Sequence, residues 1–358
     1  MNPTNRNKPG EHVLRLLFWE STARCNLHCA HCRRIDADAP ATNDLTTDQA
    51  RGLIDSAAEL GRPIFVFSGG EPLLRDDWRQ LADYARSRGL TTALASNGTL
   101  IDATLARRIA EAGFARVAVS LDGADAATHD GLRGRAGAFD AAVAGARALR
   151  DAAVPVQINT TLTTGNFGRL DAVLELTRAL GARALHLFVL VPVGCGLELA
   201  KSAQLSPGQV EEALEWICRH QAQGDIELRA TCAPHYYRVA AQLQPQHEEA
   251  FGAAGVRGLT GSRGCLAGVG ILFVSHSGKV FPCGYLPISC GDVRRDRLAD
   301  IWESSDLLNR LRDYDLLTGK CGCCEYKIVC GGCRARAYAA GSDYLAEEPM
   351  CAHRPAKG

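Results

Sequence analysis

No apolar run in this 358-residue chain approaches the length of a bilayer span. The early stretch Val13 to Trp19 is short and holds Arg15, so neither a membrane helix nor a signal-peptide core is expected. Excess charge is missing too. Forty basic residues balance forty acidic ones, which excludes a broad nucleic-acid or membrane-surface footprint. No internal repeat appears at a period of roughly 20–50 residues. Cysteine is absent from 33 to 194. These absences leave a protein expected to be soluble and cytoplasmic, with neither nucleic acid nor membrane as a partner. Its 46% apolar and 22% charged residues are an ordinary globular balance.

Against that background the fifteen cysteines stand out. Their number is odd, so they cannot all pair within one chain, and without an export signal they point to metal. Three lie at 25–32, nine between 265 and 351, and Cys195, Cys218 and Cys232 are scattered. The cysteine-free middle alternates strand and helix. Strands are expected at His12–Trp19, Pro63–Phe67, Leu90–Ala95, Arg116–Leu121, Pro155–Leu162 and Leu185–Val191. Amphipathic helices are expected at Thr46–Leu60 with Asp44 as N-cap, Asp76–Arg88, Ala103–Ala112, Phe139–Ala152, Asn166–Leu180 and Ser206–Gln223. Gly61, Gly89, Gly113 and Gly181 read as helix stops. This is an α/β pattern: a partial (β/α)6 barrel of the TIM type over 10–225, with chemistry at the C-terminal strand ends. A connecting segment over 226–260, a helix at His235–Val256 and then a Gly-rich joint, leads into a Cys-rich tail at 261–358 that needs metal to hold it.

Cys25, Cys29 and Cys32 follow the first strand, where an active-site loop belongs. Three thiolates hold three irons of a [4Fe–4S] cluster and leave the fourth open. The competing readings are a buried helical face and a zinc site that uses His28 or His31. The next strand runs into Ser68-Gly69-Gly70-Glu71-Pro72. There the glycines admit a ligand to the backbone, and Glu71 suits an ammonium. Together these motifs resemble the radical S-adenosylmethionine (SAM) superfamily.

That resemblance implies a cluster whose open iron chelates SAM, reductive cleavage of SAM, and hydrogen abstraction by a 5′-deoxyadenosyl radical. By position, Cys25, Cys29 and Cys32 match the cluster ligands, and Gly69, Gly70 and Glu71 the loop at the methionyl amine. Ser120 and Asp122, in Val119-Ser-Leu-Asp-Gly123, match the polar strand end near the SAM ribose and carboxylate. Arg133 is a candidate clamp for the SAM carboxylate, with a surface arginine as the other reading. Asn97 and Asn159 are candidate SAM contacts or caps. His31 replaces the usual aromatic residue before the third cysteine, and an imidazole can still stack on adenine.

In the tail, Cys265 and Cys283 precede Cys321, Cys324, Cys330 and Cys333 in a C-x2-C-x5-C-x2-C spacing, and Cys351 follows. The pattern resembles SPASM domains, which hold two auxiliary [4Fe–4S] clusters, although x3 is usual before the position of Cys333. Structural zinc knuckles are the rival reading. The resemblance assigns Cys265, Cys283 and Cys333 to the first auxiliary cluster, and Cys321, Cys324, Cys330 and Cys351 to the second. The fourth ligand of the first stays open among Cys290, Cys232, Cys195 and substrate. Cys323 reads as a spare thiol and Cys218 as a core residue.

Only 24 residues precede Cys25, which argues against a leader-peptide-binding module. Gly284 stands where sulfatase-maturing relatives have Asp. Phe18-Trp-Glu20, His31-Cys-Arg33, Pro282-Cys-Gly-Tyr-Leu-Pro287 and Gly331-Gly-Cys-Arg-Ala-Arg-Ala-Tyr338 resemble the tetrapyrrole branch. That branch includes the alternative heme synthase and its deacetylase and heme d1 relatives. Radical decarboxylation of two iron-coproporphyrin propionates is therefore expected. A flavodoxin- or ferredoxin-type protein is the expected electron donor. The alternatives are decarboxylation or dehydration of a nucleoside sugar acid, and peptide or protein modification. Arg263, Arg334 and Arg336 are candidates for the propionates, with surface or cluster packing as the other reading. Tyr285 is the one candidate catalytic side chain, as a hydrogen donor or simply a packed ring.

Overall fold

The computed structural model describes residues 12–34, 43–221, 224–243 and 264–356. The chain begins with β1 (Leu16–Glu20), α1 (Thr47–Glu59), β2 (Ile64–Ser68), α2 (Trp78–Ser87), β3 (Thr92–Ser96), α3 (Ala103–Glu111) and β4 (Arg116–Ser120). It continues through α4 (Ala126–Arg133), α5 (Ala138–Asp151), β5 (Val156–Leu162), α6 (Leu170–Ala179), β6 (Ala184–Val189), α7 (Gly196–Ala203), α8 (Pro207–Gln221), β7 (Glu227–Thr231) and α9 (Tyr236–Leu243). The tail holds β8 (Ile271–Val274), β9 (Lys279–Phe281), β10 (Gly291–Asp292), α10 (Leu298–Ser304), α11 (Asp306–Arg312), α12 (Gly319–Cys323) and α13 (Arg334–Gly341).

Strands β1 to β7 pair in chain order and all in parallel. This is the expected partial barrel. Its C-terminal strand ends share one rim, with Glu20 beside Ser68 and Ser120 beside Asn159. All six expected strands form. The seventh, β7, escaped the pattern because Glu227 and Arg229 break any apolar run and only Leu228 is buried. Helix α4 escaped because Gly131 and polar residues leave it no apolar stripe. On the other side of β1 the tail strand β8 adds in parallel, Leu16 opposite Ile271. The Cys-rich segment therefore extends the barrel sheet.

Trp19, Phe65, Phe67, Trp78 and Phe114 pack edge-on or stacked at centroid distances of 5.3–6.3 Å, which fills the space outside β1–β3. All four expected glycine stops lie at helix ends with positive φ. The cap of α1 differs from expectation. Thr46 and Gln49 form a reciprocal capping box. Asp44 instead accepts from Thr22 Oγ1 (2.6 Å) and Ala23 N (3.0 Å) and pairs with His276 Nδ1 (3.1 Å). Of the helix expected over 235–256, the described part is α9; residues 244–263, with the joint and Arg263, lie outside the described residues. Among the described residues no helix is long and apolar enough to cross a membrane.

Candidate active site and cluster loops

The loop carrying Cys25, Cys29 and Cys32 leaves the rim at β1. Ser21 donates its N–H (2.8 Å) and its hydroxyl (2.9 Å) to Ser68 O. Gly70 N donates to Thr22 O (2.9 Å) and Glu71 N to Arg24 O (2.8 Å), so the two loops lie backbone to backbone. A Cβ on Gly70 would stand 2.2 Å from Arg24 O, so only glycine fits there. Asn97 Nδ2 donates to Asn26 Oδ1 (2.8 Å), and Asn26 Nδ2 to Thr99 Oγ1 (2.8 Å). Ala30 N donates to Leu132 O of α4 (2.9 Å). The three cysteines are thus held from three sides, half-buried and free of disulfides. Burial raises the pKa of Cys25 and Cys29, and each thiol also feels Cys32. Three neighbouring thiols with Arg34 and Arg133 close by suit a soft-metal cluster.

Glu71 is fully buried and accepts from Asn97 N (2.8 Å), Ser96 Oγ (2.9 Å) and Leu73 N (3.2 Å). Burial pushes its pKa up to about 7. Its carboxyl anchors the Gly-Gly loop to the end of β3, with Ser96, a residue the sequence did not flag, as one partner. Asp122 is buried just past β4 and accepts from Thr161 N (2.8 Å). Arg133 pairs with Asp122 Oδ2 at 2.7 Å and places Nη1 3.7 Å from Cys29 Sγ. The arginine expected at a ligand carboxylate is thus engaged by the protein's own carboxylate and a cluster-loop thiol. His31 Nε2 lies 3.4 Å from the same Asp122 oxygen, and its Nδ1 is buried with no hydrogen-bond partner among the described residues. Burial lowers its pKa to about 4, so the ring is neutral at pH 7. Ser120 is half-buried on the rim beside Asn159. Asn159 Oδ1 accepts from Gln157 Nε2 (2.7 Å), and Asn97 is occupied in the Asn26–Thr99 turn.

The tail cysteines separate into two sets. Cys321, Cys324, Cys330 and Cys351 line one cleft. Cys283 and Cys333 share an apolar pocket with Val191, Leu286 and Cys232. Gly331 and Gly332 both adopt left-handed backbone, φ +70° and +61°, and turn the chain so that Cys330 and Cys333 serve different sets. Donor atoms of Cys324, Glu325 and His353 lie within 4.8 Å of one another, and His353 Nε2 pairs with Glu325 Oε1 at 3.0 Å. Cys323 is exposed, and Cys218 is buried in α8.

Two of the three arginines weighed for substrate propionates, Arg334 and Arg336, take the other reading and pack within the tail. Arg334 donates to Ala346 O (2.7 Å), Tyr344 O (3.0 Å) and Gly332 O (3.1 Å) and approaches Cys321 Sγ at 3.7 Å. Arg336 is buried, pairs with Glu348 (2.8 Å) and donates to Leu190 O (2.9 Å). Both are cluster-loop braces, because a short helix starting at Cys333 points its first turn inward. Tyr285 is half-buried and close enough to feel Cys232, Arg33, Cys283 and Cys32. Those neighbours belong to both the first cysteine loop and the second cysteine set. Arg33, 4.1 Å above the Phe273 ring, is the guanidinium beside it.

The radical SAM superfamily model matches residues 19–178, and the SPASM iron–sulfur cluster-binding domain matches 265–325. The chain is 47% identical over 345 residues to an AdoMet-dependent heme synthase of Methanosarcina barkeri, covering 96% of this chain and 97% of that one. It is 41% identical to the AdoMet-dependent heme synthase of Nitratidesulfovibrio vulgaris, covering 97% and 94%. The crystal structure of Streptococcus suis SuiB bound to precursor peptide SuiA shares the fold, with TM-score 0.74 at 16% identity over 96% of this chain and 76% of that one. The protein is a radical SAM enzyme with a SPASM domain, using S-adenosylmethionine, a [4Fe–4S] cluster and auxiliary iron–sulfur clusters. Within that superfamily the chain belongs to the heme-synthase-like branch.

Proposed function

We propose that this enzyme converts propionate side chains of iron-coproporphyrin into vinyl groups. The observation that carries the reading is that Tyr285 has charged neighbours in both cysteine sets, Cys32 of the first loop and Cys232 and Cys283 of the other, with Arg33 among them. Likeness to heme synthases over nearly the whole chain supports it. Each turnover removes a hydrogen atom from the carbon beta to the carboxylate. The bond to the carboxyl carbon then breaks, leaving a vinyl group, CO2 and one electron. When bound, the open cluster and SAM supply the hydrogen-abstracting radical, and the auxiliary clusters supply an electron acceptor.

The protein's own groups position these parts. Cys25, Cys29 and Cys32 hold the radical cluster. The Gly69–Gly70 backbone, with Glu71 bracing it, receives the methionyl end of SAM. When SAM is bound, His31 would offer the adenine a flat surface and Ser120 would lie on the ribose side. Asp122 and Arg133 fix the Cys29 side of the loop. Arg33 offers a substrate carboxylate a planar partner, and the Tyr285 ring shields the gap from water. In the tail, Cys265, Cys283 and Cys333 serve the first auxiliary cluster, and Cys321, Cys324, Cys330 and Cys351 the second. A flavodoxin- or ferredoxin-type protein delivers the reducing electron.

The test is anaerobic incubation of reconstituted enzyme with dithionite, SAM and iron-coproporphyrin III. Heme should form with one 5′-deoxyadenosine per vinyl group, and Cys29→Ala should abolish both. Unchanged porphyrin, with loss of water or CO2 from a nucleoside sugar acid under the same conditions, would replace this substrate by that one.

A further inference from the structure

The tail motif offers the first auxiliary cluster only three thiols, one short of a closed cube. We propose that Cys232, just past the end of β7, is the fourth ligand, so that this cluster is closed to substrate and serves as an electron relay. This rests on the reading that the tail carries two auxiliary clusters.

Cys232 packs in the same apolar pocket as Cys283 and Cys333. The segment bearing Cys265 is pressed onto the same turn. A Cβ on Gly264 would stand 2.7 Å from Pro234 Cβ, and Gly264 N donates to Val329 O (2.7 Å). The charged neighbours of the Cys232 thiol include Cys333, Cys283 and Cys265 together. One buried ion pair orients two members of the set. Arg336 donates to Cys232 O, and its partner Glu348 accepts from Cys333 N at 2.7 Å. Cys232 is also one of four non-glycine residues in the left-handed region among the described residues, at φ +56°. A cysteine held there against its preference is the kind of strain that surrounding structure imposes at a functional position.

The other candidates lie elsewhere. Cys290 Sγ donates to Val280 O (3.3 Å), and its charged neighbour among the described residues is Arg312, with no other cysteine. Cys195 is exposed at the start of α7. A closed cluster changes how the substrate electron leaves. It passes to a fully ligated acceptor, which is reduced by one electron as the substrate is oxidised, and no iron takes the propionate.

The test compares wild type with Cys232→Ala, Cys290→Ala and Cys195→Ala after anaerobic reconstitution. Wild type should hold about twelve irons from three four-iron clusters. Cys232→Ala should lose about one iron for a three-iron product or about four for complete loss, with a changed reduced-state EPR spectrum. The other two variants should match wild type. Alkylation mapped by mass spectrometry adds a check that needs no variant: Cys232 should be protected in the iron-loaded protein and labelled after chelation. Unchanged iron and EPR in Cys232→Ala, labelling of Cys232 in the loaded protein, or iron loss in Cys290→Ala or Cys195→Ala would each overturn the assignment. Wild type with only about four irons would overturn the auxiliary-cluster reading itself, and this shows before any variant is made.

Discussion

Asp122 shows how the rim reconciles a buried charge with a cluster loop. Burial pushes its pKa up, but Arg133 and then His31 outweigh that, and the net shift is downward. A depressed carboxyl contributes stability above its unfolded pKa and loses it as pH falls through the folded value. Arg133→Gln removes the counter-charge. The apo-protein should lose about 3–5 kcal/mol in urea unfolding at pH 7. The stability lost on acidification at this site should also shrink, because burial is then opposed only by the weaker influences of His31, the Thr161 N–H and His129. An unchanged urea midpoint, or the wild-type slope, would show that the pair does not hold the loop. At this scale the sequence was informative about residue type. Asp122 and Arg133 were legible as polar rim residues, but their pairing with each other was not, since eleven positions and a helix turn separate them and neither lies in a periodic pattern.

Among the elements, the turn between Cys330 and α13 divides the tail thiols. A Cβ on Gly332 would stand 2.3 Å from Arg334 Nη2 and 3.1 Å from Cys321 Sγ, on a backbone that an L side chain resists. Gly332→Ala should therefore lose tail iron while the radical cluster still assembles. The measurable outcome is reduced iron content with SAM cleavage retained and uncoupled from product. Full iron content would show that the turn tolerates a side chain. The short spacing before Cys333 departs from its family, and two consecutive left-handed glycines account for it, because they reverse the chain in fewer residues. Strand β7 and helix α4 were not legible. Their residues are placed by tertiary pairing with β6 and by the Asp122–Arg133 contact, and local hydrophobic pattern carries little of either.

For the whole molecule, β8 joins the Cys-rich tail to the barrel through β1, and Trp302 Nε1 donates to His12 O at 3.1 Å. Removing residues 264–358 would bare the β1 edge, a template for wrong pairing. The shortened chain should aggregate on expression, and a soluble, monomeric product with native circular dichroism would show that the barrel stands alone. The sequence by itself determined the strand–helix order, the two cysteine constellations and the superfamily, because spacing along the backbone carries them. Only the tertiary structure decided that Arg334 and Arg336 brace loops, and that Cys232 packs against the same apolar cluster as Cys283 and Cys333. Those are contacts between residues as much as 147 positions apart, as in Arg336 to Val189 O, and local patterns hold no record of such distances.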